Sequence, residues 1–377
     1  MIDYASEFEP NWASPPGETI AEFIEEKNWK QKELAARLGI SDKHLNQLTK
    51  GKVALTQDMA RRLALVLGPT EDFWFKMEAL YREQLRNIES QRIYEQYIGW
   101  LDKFPLNDLK KADILTDLRT SKSLKPVFVR QLLRFFAVNS PEQWESQYVQ
   151  LQGNFRRANN DNSNIGAITA WLRQGEILAE RLGGELTGRN QTVRFSKSKF
   201  EKQLQAIRQL TTQNLSEISE QLRERFLSAG VILAFVPSIP KARVSGVARW
   251  LSPGRPLIQL SLYGKFNDKF WFTLYHESAH LLLHSDDKNI IFLDNANQSE
   301  GEAEHEREAN SWAENILIPK RHTPELFHLQ TVNDVEKFAS KIDIHPGIVV
   351  GRLQKENVIS FEKMNGLKVS YEISKNE

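Results

Sequence analysis

The sequence predicts a mainly α chain that ends in an α+β domain. Three observations lead there. Short helical apolar patterns separated by polar turns fill the first 90 residues, and longer helical patterns run through the middle. After Gly230 the period changes to β-branched and apolar runs broken by prolines, with helical spacing returning beyond them. Three regions follow, 1–90, 91–229 and 230–377, and 377 residues are enough for that many cores.

Pro15-Pro16-Gly17 opens the first unit, and five helices are expected at roughly Glu18–Asn28, Gln31–Leu38, Ser41–Thr49, Thr56–Leu67 and Thr70 to about Arg86. The second and third form a helix-turn-helix. Ala35 allows close helix contact, Gly39 suits the turn, Ile40 plugs the core, Ser41 can cap the third helix, and Leu45 and Leu48 face inward. That leaves Asp42, Lys43, His44, Asn46, Gln47 and Lys50 pointing outward, where a DNA reader presents side chains to the major groove. Gln31, at the preceding helix start, can bond a phosphate. Between Lys27 and Arg62 nine basic residues face three acidic ones, a local excess in a chain whose net charge is only +1.

Pro-Gly-Glu (16–18), Gln-Lys-Glu-Leu-Ala-Ala-Arg-Leu-Gly-Ile-Ser (31–41), Gly51-Lys52 and Leu-Gly-Pro-Thr-Glu-Asp-Phe-Trp (67–74) resemble the XRE-type, λ-repressor-like fold of HigA-like antitoxins. The resemblance covers residues 12–90, and the basic patch with the helix-turn-helix predicts a homodimer on double-stranded operator DNA, with Ser41 among the residues at that surface.

From Phe104-Pro105 to Ala229 the chain reads as helical hairpins, at Asn107–Leu118, Lys125–Ala137, Pro141–Leu151, Asn164–Leu182 and Ser198–Ala229 with a break near Asn214. The Asn-rich stretch 159–164 is expected to be an exposed loop. Trp144, Phe155 and Trp171 are expected in the core rather than around a ligand. Antitoxin–peptidase fusions carry a stretch similar to Trp-Leu-Arg-x-Gly-Glu (171–176), to which the sequence alone assigns no role.

Beyond Gly230, strands are expected at Val231–Val236, Val244–Trp250 and Leu257–Leu262, with a further short one at Ile290–Leu293. A largely buried helix follows, containing His276-Glu277-Ser278-Ala279-His280 and with Asn267-Asp268 at its start as a candidate cap. Histidines four apart project from one face and can share a Zn²⁺ at roughly 2.0–2.1 Å. Glu277 beside them can take a proton from water acidified by the metal and pass it to a leaving amine, the zincin pattern of a metalloprotease. The alternative is two core histidines. His284 continues the row but stands roughly 12 Å from His276 along a straight helix, too far to share one ion. The third ligand therefore comes from another segment, and the helical pattern 300–316 offers Glu302, Glu304, His305, Glu306 and Glu308, with Ala309, Trp312, Ala313 and Ile316 as its apolar stripe.

His-Glu-Ser-Ala-His-Leu-Leu-Leu-His (276–284), Glu-Arg-Glu-Ala-Asn-Ser-Trp-Ala (306–313) and Leu-Ile-Pro (317–319) resemble the ImmA/IrrE family of bacterial metallo-endopeptidases, over residues 230–365. The resemblance implies one Zn²⁺ per chain, with the Glu before Ala-Asn, Glu308, as third ligand beside His276 and His280. Trp312 stands where the family has Phe. Val335–Ile342 and Pro346–Gln354 form a second helix-turn-helix-like pair, but Gly347, Gly351 and few basic residues favour packing over DNA reading. Residues 366–377 are expected to be a strand or loose tail.

Cysteine is absent, which excludes disulfides, thiol catalysis and Cys-ligated zinc. An acidic N-terminus without an apolar h-region, and no apolar run of about 18 residues, predict a cytoplasmic protein with no membrane partner. Two functions fit. In one, a DNA-binding regulator carries a working zinc endopeptidase that cuts itself or a partner (a repressor or cognate toxin) to control repression. In the other, the zincin domain is a non-catalytic metal- or toxin-binding module.

Overall fold

The computed structural model describes residues 12–118, 121, 124–148, 164–187, 194–284, 292–295 and 304–372. Residues 159–163 of the Asn-rich stretch, Phe155, Ile290 and the end of the tail lie outside them. Two compact units emerge, one of residues 1–99 with 121–129, the other of 100–120 with 130–377.

The first unit holds α1 (Pro16–Glu26), α2 (Gln31–Leu38), α3 (Asp42–Thr49), α4 (Gln57–Leu67) and α5 (Glu71–Gln96). Their apolar stripes meet in a core where Ile20, Leu34, Leu45, Leu63 and Trp74 are fully buried. The α2–α3 turn works as expected. Gly39 takes φ +66°, left-handed backbone that costs a side-chain-bearing residue energy, and the Ser41 hydroxyl accepts from His44 N at 3.2 Å. Thr56 and Thr70 cap α4 and α5 in the same way. α5, whose pattern is expected to run on through Tyr81, Leu85 and Ile88, ends eight residues beyond Ile88, because no proline or glycine stops it before Gly99.

In the second unit the middle helices, apart from the first residues of α7 up to Val129, cluster with the C-terminal region. α6 (Leu106–Lys111) is shorter than expected, ending before the left-handed Asp113. It is followed by α7 (Lys125–Phe136), α8 (141–148), α9 (Ile165–Thr187), α10 (Lys197–Ile207) and α11 (Leu215–Ser228). Trp100, Phe104, Phe136, Trp144 and Tyr148 form one aromatic cluster. The sheet comprises β1 (Ile232–Phe235), β2 (Val244–Ser252), β3 (Arg255–Leu260) and β4 (Phe292–Asn295) in the order β1-β3-β2-β4, with β1 parallel to β3 and the other pairs antiparallel.

The Trp-Leu-Arg-x-Gly-Glu stretch clamps α9 onto this sheet. Trp171 Nε1 donates to the Val236 carbonyl at 3.1 Å, and Gln259 Nε2 on β3 donates to the Trp171 carbonyl at 2.6 Å. Gly175 lets Gln259 approach, since a Cβ there would lie 1.8 Å from its Oε1. Glu176 accepts from Arg249 of β2 at 2.7 Å and from Arg173 at 2.8 Å, while Arg173 Nε also reaches the Phe135 carbonyl. These polar groups are nearly dry, and each hydrogen bond offsets a desolvation cost that would otherwise be left standing.

The opposite face of the sheet carries Gly246, Ala248, Ile258 and Leu260 and is covered by α12 (Asn267–Leu283). α13 (Glu304–Leu317) docks on α12. After the short α14 (Thr323–Leu326), α15 (Val332–Ile342) and α16 (Pro346–Lys355) close the core with Val335, Phe338, Ile342, Ile348, Val349 and Leu353. The glycines that weaken α16 permit close contact with the start of α12, because a Cβ at Gly347 would meet Asn267 Oδ1 at 2.7 Å and one at Gly351 would meet Asp268 Oδ2 at 2.5 Å. Asn267 does not cap α12 from outside. It is buried as its first residue, accepting from Asp268 N and Val369 N and bonding His345 Nδ1 at 2.8 Å, so it ties the helix to the C-terminal segment. Among the described residues no helix is long and apolar enough to cross a membrane.

Candidate metal centre and nucleic-acid interface

Fourteen of the seventeen residues of α12 are buried, which is why its hydrophobic pattern shows no single face and why its few polar side chains are conspicuous. His276 and His280 turn their Nε2 atoms to within 3.0 Å of each other. From α13, Glu306 brings Oε2 to 3.2 Å from His276 Nε2 and Oε1 to 3.3 Å from His280 Nε2. Ligand atoms from all three residues lie within 4.8 Å of one another. Zinc bonds of about 2.0–2.1 Å in a tetrahedron place ligands roughly 3.3 Å apart, so the donor set and its spacing fit that ion.

Electrostatics agree. Burial pushes the His280 imidazole down to about 4, so it is neutral, as a metal ligand must be, throughout the physiological range. For Glu306 burial opposes ionisation, but the hydrogen bonds from His276 and His280 outweigh it and hold the carboxyl well below the usual carboxylate range.

The expectation for Glu308 is corrected by position. Its carboxylate lies 3.6 Å from His284 Nε2, with the side chain about half exposed, and it does not join the pair. Residues two apart on a helix point roughly 200° apart, so Glu306 and Glu308 cannot both face the His276–His280 pair, and Glu308 reaches the end of α12 instead. The buried stripe Ala309, Ala313 and Leu317 sets which face docks, and Glu306 is two turns from Ala313 and in phase with it. The stripe read from the sequence, Ala309, Trp312, Ala313 and Ile316, shares only two of these residues and so points elsewhere. Glu302 has the same phase as Glu306 but lies outside the described residues. His284 is turned away from the pair, bonding the His305 carbonyl at 3.3 Å and stacking on the His305 ring at 4.1 Å.

Glu277 is fully buried next to the histidines and lies against β2. A Cβ at Gly246 would sit 2.8 Å from Glu277 Cγ and 2.6 Å from Thr273 Cγ2, so a glycine is what lets the helix come this close. Nothing in the sequence marked Gly246, since a glycine in a strand also reads as a bulge.

In the first unit Gln31, Ser41, Asp42, Lys43, Asn46 and Lys50 are exposed, His44 and Gln47 are partly so, and Leu45 and Leu48 are buried, as a recognition helix requires. Ser41 spends its hydroxyl on the cap. Glu33 and Asp58 pair with Arg37, Arg61 and Arg62, which leaves the lysines to supply the positive surface.

Residues 20–75 match a helix-turn-helix family model, and residues 239–354 match the IrrE N-terminal-like domain. Over 63 residues the chain is 33% identical to the HTH-type transcriptional regulator YddM of Escherichia coli (strain K12), covering 17% of this chain and 67% of that protein. With a capped helix-turn-helix in one unit and a His-His-Glu cluster on paired helices in the other, the chain belongs to the XRE-type helix-turn-helix regulators and carries at its C-terminal end an IrrE/ImmA-like metallopeptidase-type domain.

Proposed function

We propose that this regulator is also a zinc-dependent endopeptidase, binding operator DNA as a homodimer and cutting itself or a partner protein to relieve repression. The observation that carries the reading is the convergence of His276, His280 and Glu306 with Glu277 buried alongside. A structural zinc site has no need of that second carboxylate. His276, His280 and Glu306 would hold the ion, which when bound supplies a Lewis acid for the scissile carbonyl and acidifies water. Glu277 accepts a proton from water and delivers it to the leaving amine, and its dry surroundings strengthen each of those charge interactions. β4 pairs with β2 alone among the described residues, and its outer edge offers main-chain partners to an extended substrate. A HigA-like role, with a toxin as partner, fits the N-terminal resemblance.

The test compares zinc-loaded wild type with Glu277→Gln on a proteome-derived peptide pool read by mass spectrometry. Products should form with wild type alone, at equal zinc content. Absence of products from wild type, with zinc bound, would favour the non-catalytic metal- or toxin-binding module.

A further inference from the structure

A cavity of about 470 Å³ lies between α12, the end of α13 and α16. The three metal-ligand candidates do not line it, but its wall begins one helical turn from them. Phe272 lines the cavity and stacks on His276 at 5.9 Å and 28°, and Thr273 lines it four residues before Glu277. Phe272, Leu317 and Ile348 give it an apolar surface.

The charges around it are unbalanced. Lys269, Arg352, Lys355 and Lys368 stand against Asp268 and Glu314. Both carboxylates are engaged, Asp268 by Lys368 at 2.6 Å and Glu314 by Arg352 at 2.7 Å and Lys355 at 2.9 Å, and Arg352 also pairs with Glu356 at 2.9 Å, so the excess is the one positive charge of Lys269. Lys269 is exposed and has no carboxylate within ion-pair distance among the described residues. Arg352 Nε is buried there without a hydrogen-bond acceptor. A cationic guest would meet this excess of positive charge, a purely apolar one would leave Lys269 and the Nε of Arg352 unserved, and an acidic side chain with an aliphatic stem satisfies both walls.

We propose that this cavity is a substrate subsite of the peptidase that selects an Asp or Glu side chain near the scissile bond. The proposal rests on the peptidase reading for its purpose, but its binding can be measured without cleavage. A randomised peptide pool is captured on zinc-loaded, full-length Glu277→Gln, and the bound peptides are sequenced. Asp and Glu should be enriched several-fold over Asn and Gln at one position. Lys269→Glu and Lys355→Glu, each in that background and with unchanged zinc content, should abolish or invert the preference. The exposed Lys269→Ala serves as a milder variant should the reversals misfold, and it should weaken the preference. No acidic preference, or one kept in all three variants, overturns the proposal, as does displacement of the peptides by inorganic phosphate without regard to sequence. Acidic enrichment without cleavage by wild type would defeat the peptidase reading and leave the subsite standing. Cleavage without acidic preference would defeat the subsite alone.

Discussion

Gly246→Ala tests whether β2 sets the position of the proposed base. The added methyl would lie 2.6 Å from Thr273 Cγ2, 2.8 Å from Glu277 Cγ and 2.9 Å from Glu277 Oε1. Carbon atoms rest about 3.5–4.0 Å apart, so strand and helix must separate by roughly 1 Å or Glu277 must swing away. Overpacking of this kind costs roughly 1–3 kcal/mol. A misplacement of about 1 Å at a reacting group costs on the order of 10²-fold in rate. The three atoms nearest the new methyl belong to Thr273 and Glu277, not to a metal-ligand candidate, so zinc content should be unchanged. Thermal unfolding, metal analysis and peptide cleavage on the full chain measure the three quantities separately, with Gly366→Ala, where nothing lies within 4 Å, as the control. A Gly246→Ala chain as stable and as active as wild type would refute the contact, and one that lost zinc along with activity would show that the strand supports the ligands rather than the base.

Three further outcomes are expected. Arg249 is 6% exposed in its pair with Glu176, so Glu176→Ala, which leaves that cation buried alone, should lower unfolding stability by roughly 3–5 kcal/mol in a denaturant titration, and replacing both residues by apolar ones should cost less. In the chelator-treated chain His280 titrates near 4 when folded against 6.5 when unfolded. Between those values the unfolded state binds more protons, so stability falls as pH drops through the window, by about 3 kcal/mol in all, and melts at pH 7 and pH 4.5 should differ less for His280→Gln. On operator DNA, Lys43→Ala should weaken binding to all sequences and reduce the salt slope by about 1, whereas Gln47→Ala should relax preference at one base pair by roughly 1–3 kcal/mol, both read by titration at several salt concentrations.

The parts legible in the sequence are those governed by local rules. Ser41, Thr56 and Thr70 mark helix starts because a side-chain oxygen satisfies backbone donors three residues on, and the structure shows each doing so. His276 and His280 are joined by helical spacing alone. What depended on long-range packing was not legible. Glu306 and Glu308 are equivalent until the docked face of α13 is known, and Asp268 reads as a cap until Lys368, a hundred residues on, is seen beside it. The partnership of Glu176 with Arg249 spans 73 residues and two elements, and no periodicity reports it.

If His276, His280 and Glu306 hold the metal, zinc content follows Glu306 and is indifferent to Glu308. Wild type, Glu306→Gln and Glu308→Gln are purified at full length, dialysed against the same limiting zinc and analysed by inductively coupled plasma mass spectrometry alongside protein concentration. One zinc per chain is expected for wild type and Glu308→Gln, with occupancy lost in Glu306→Gln. Full occupancy in Glu306→Gln together with loss in Glu308→Gln would contradict it.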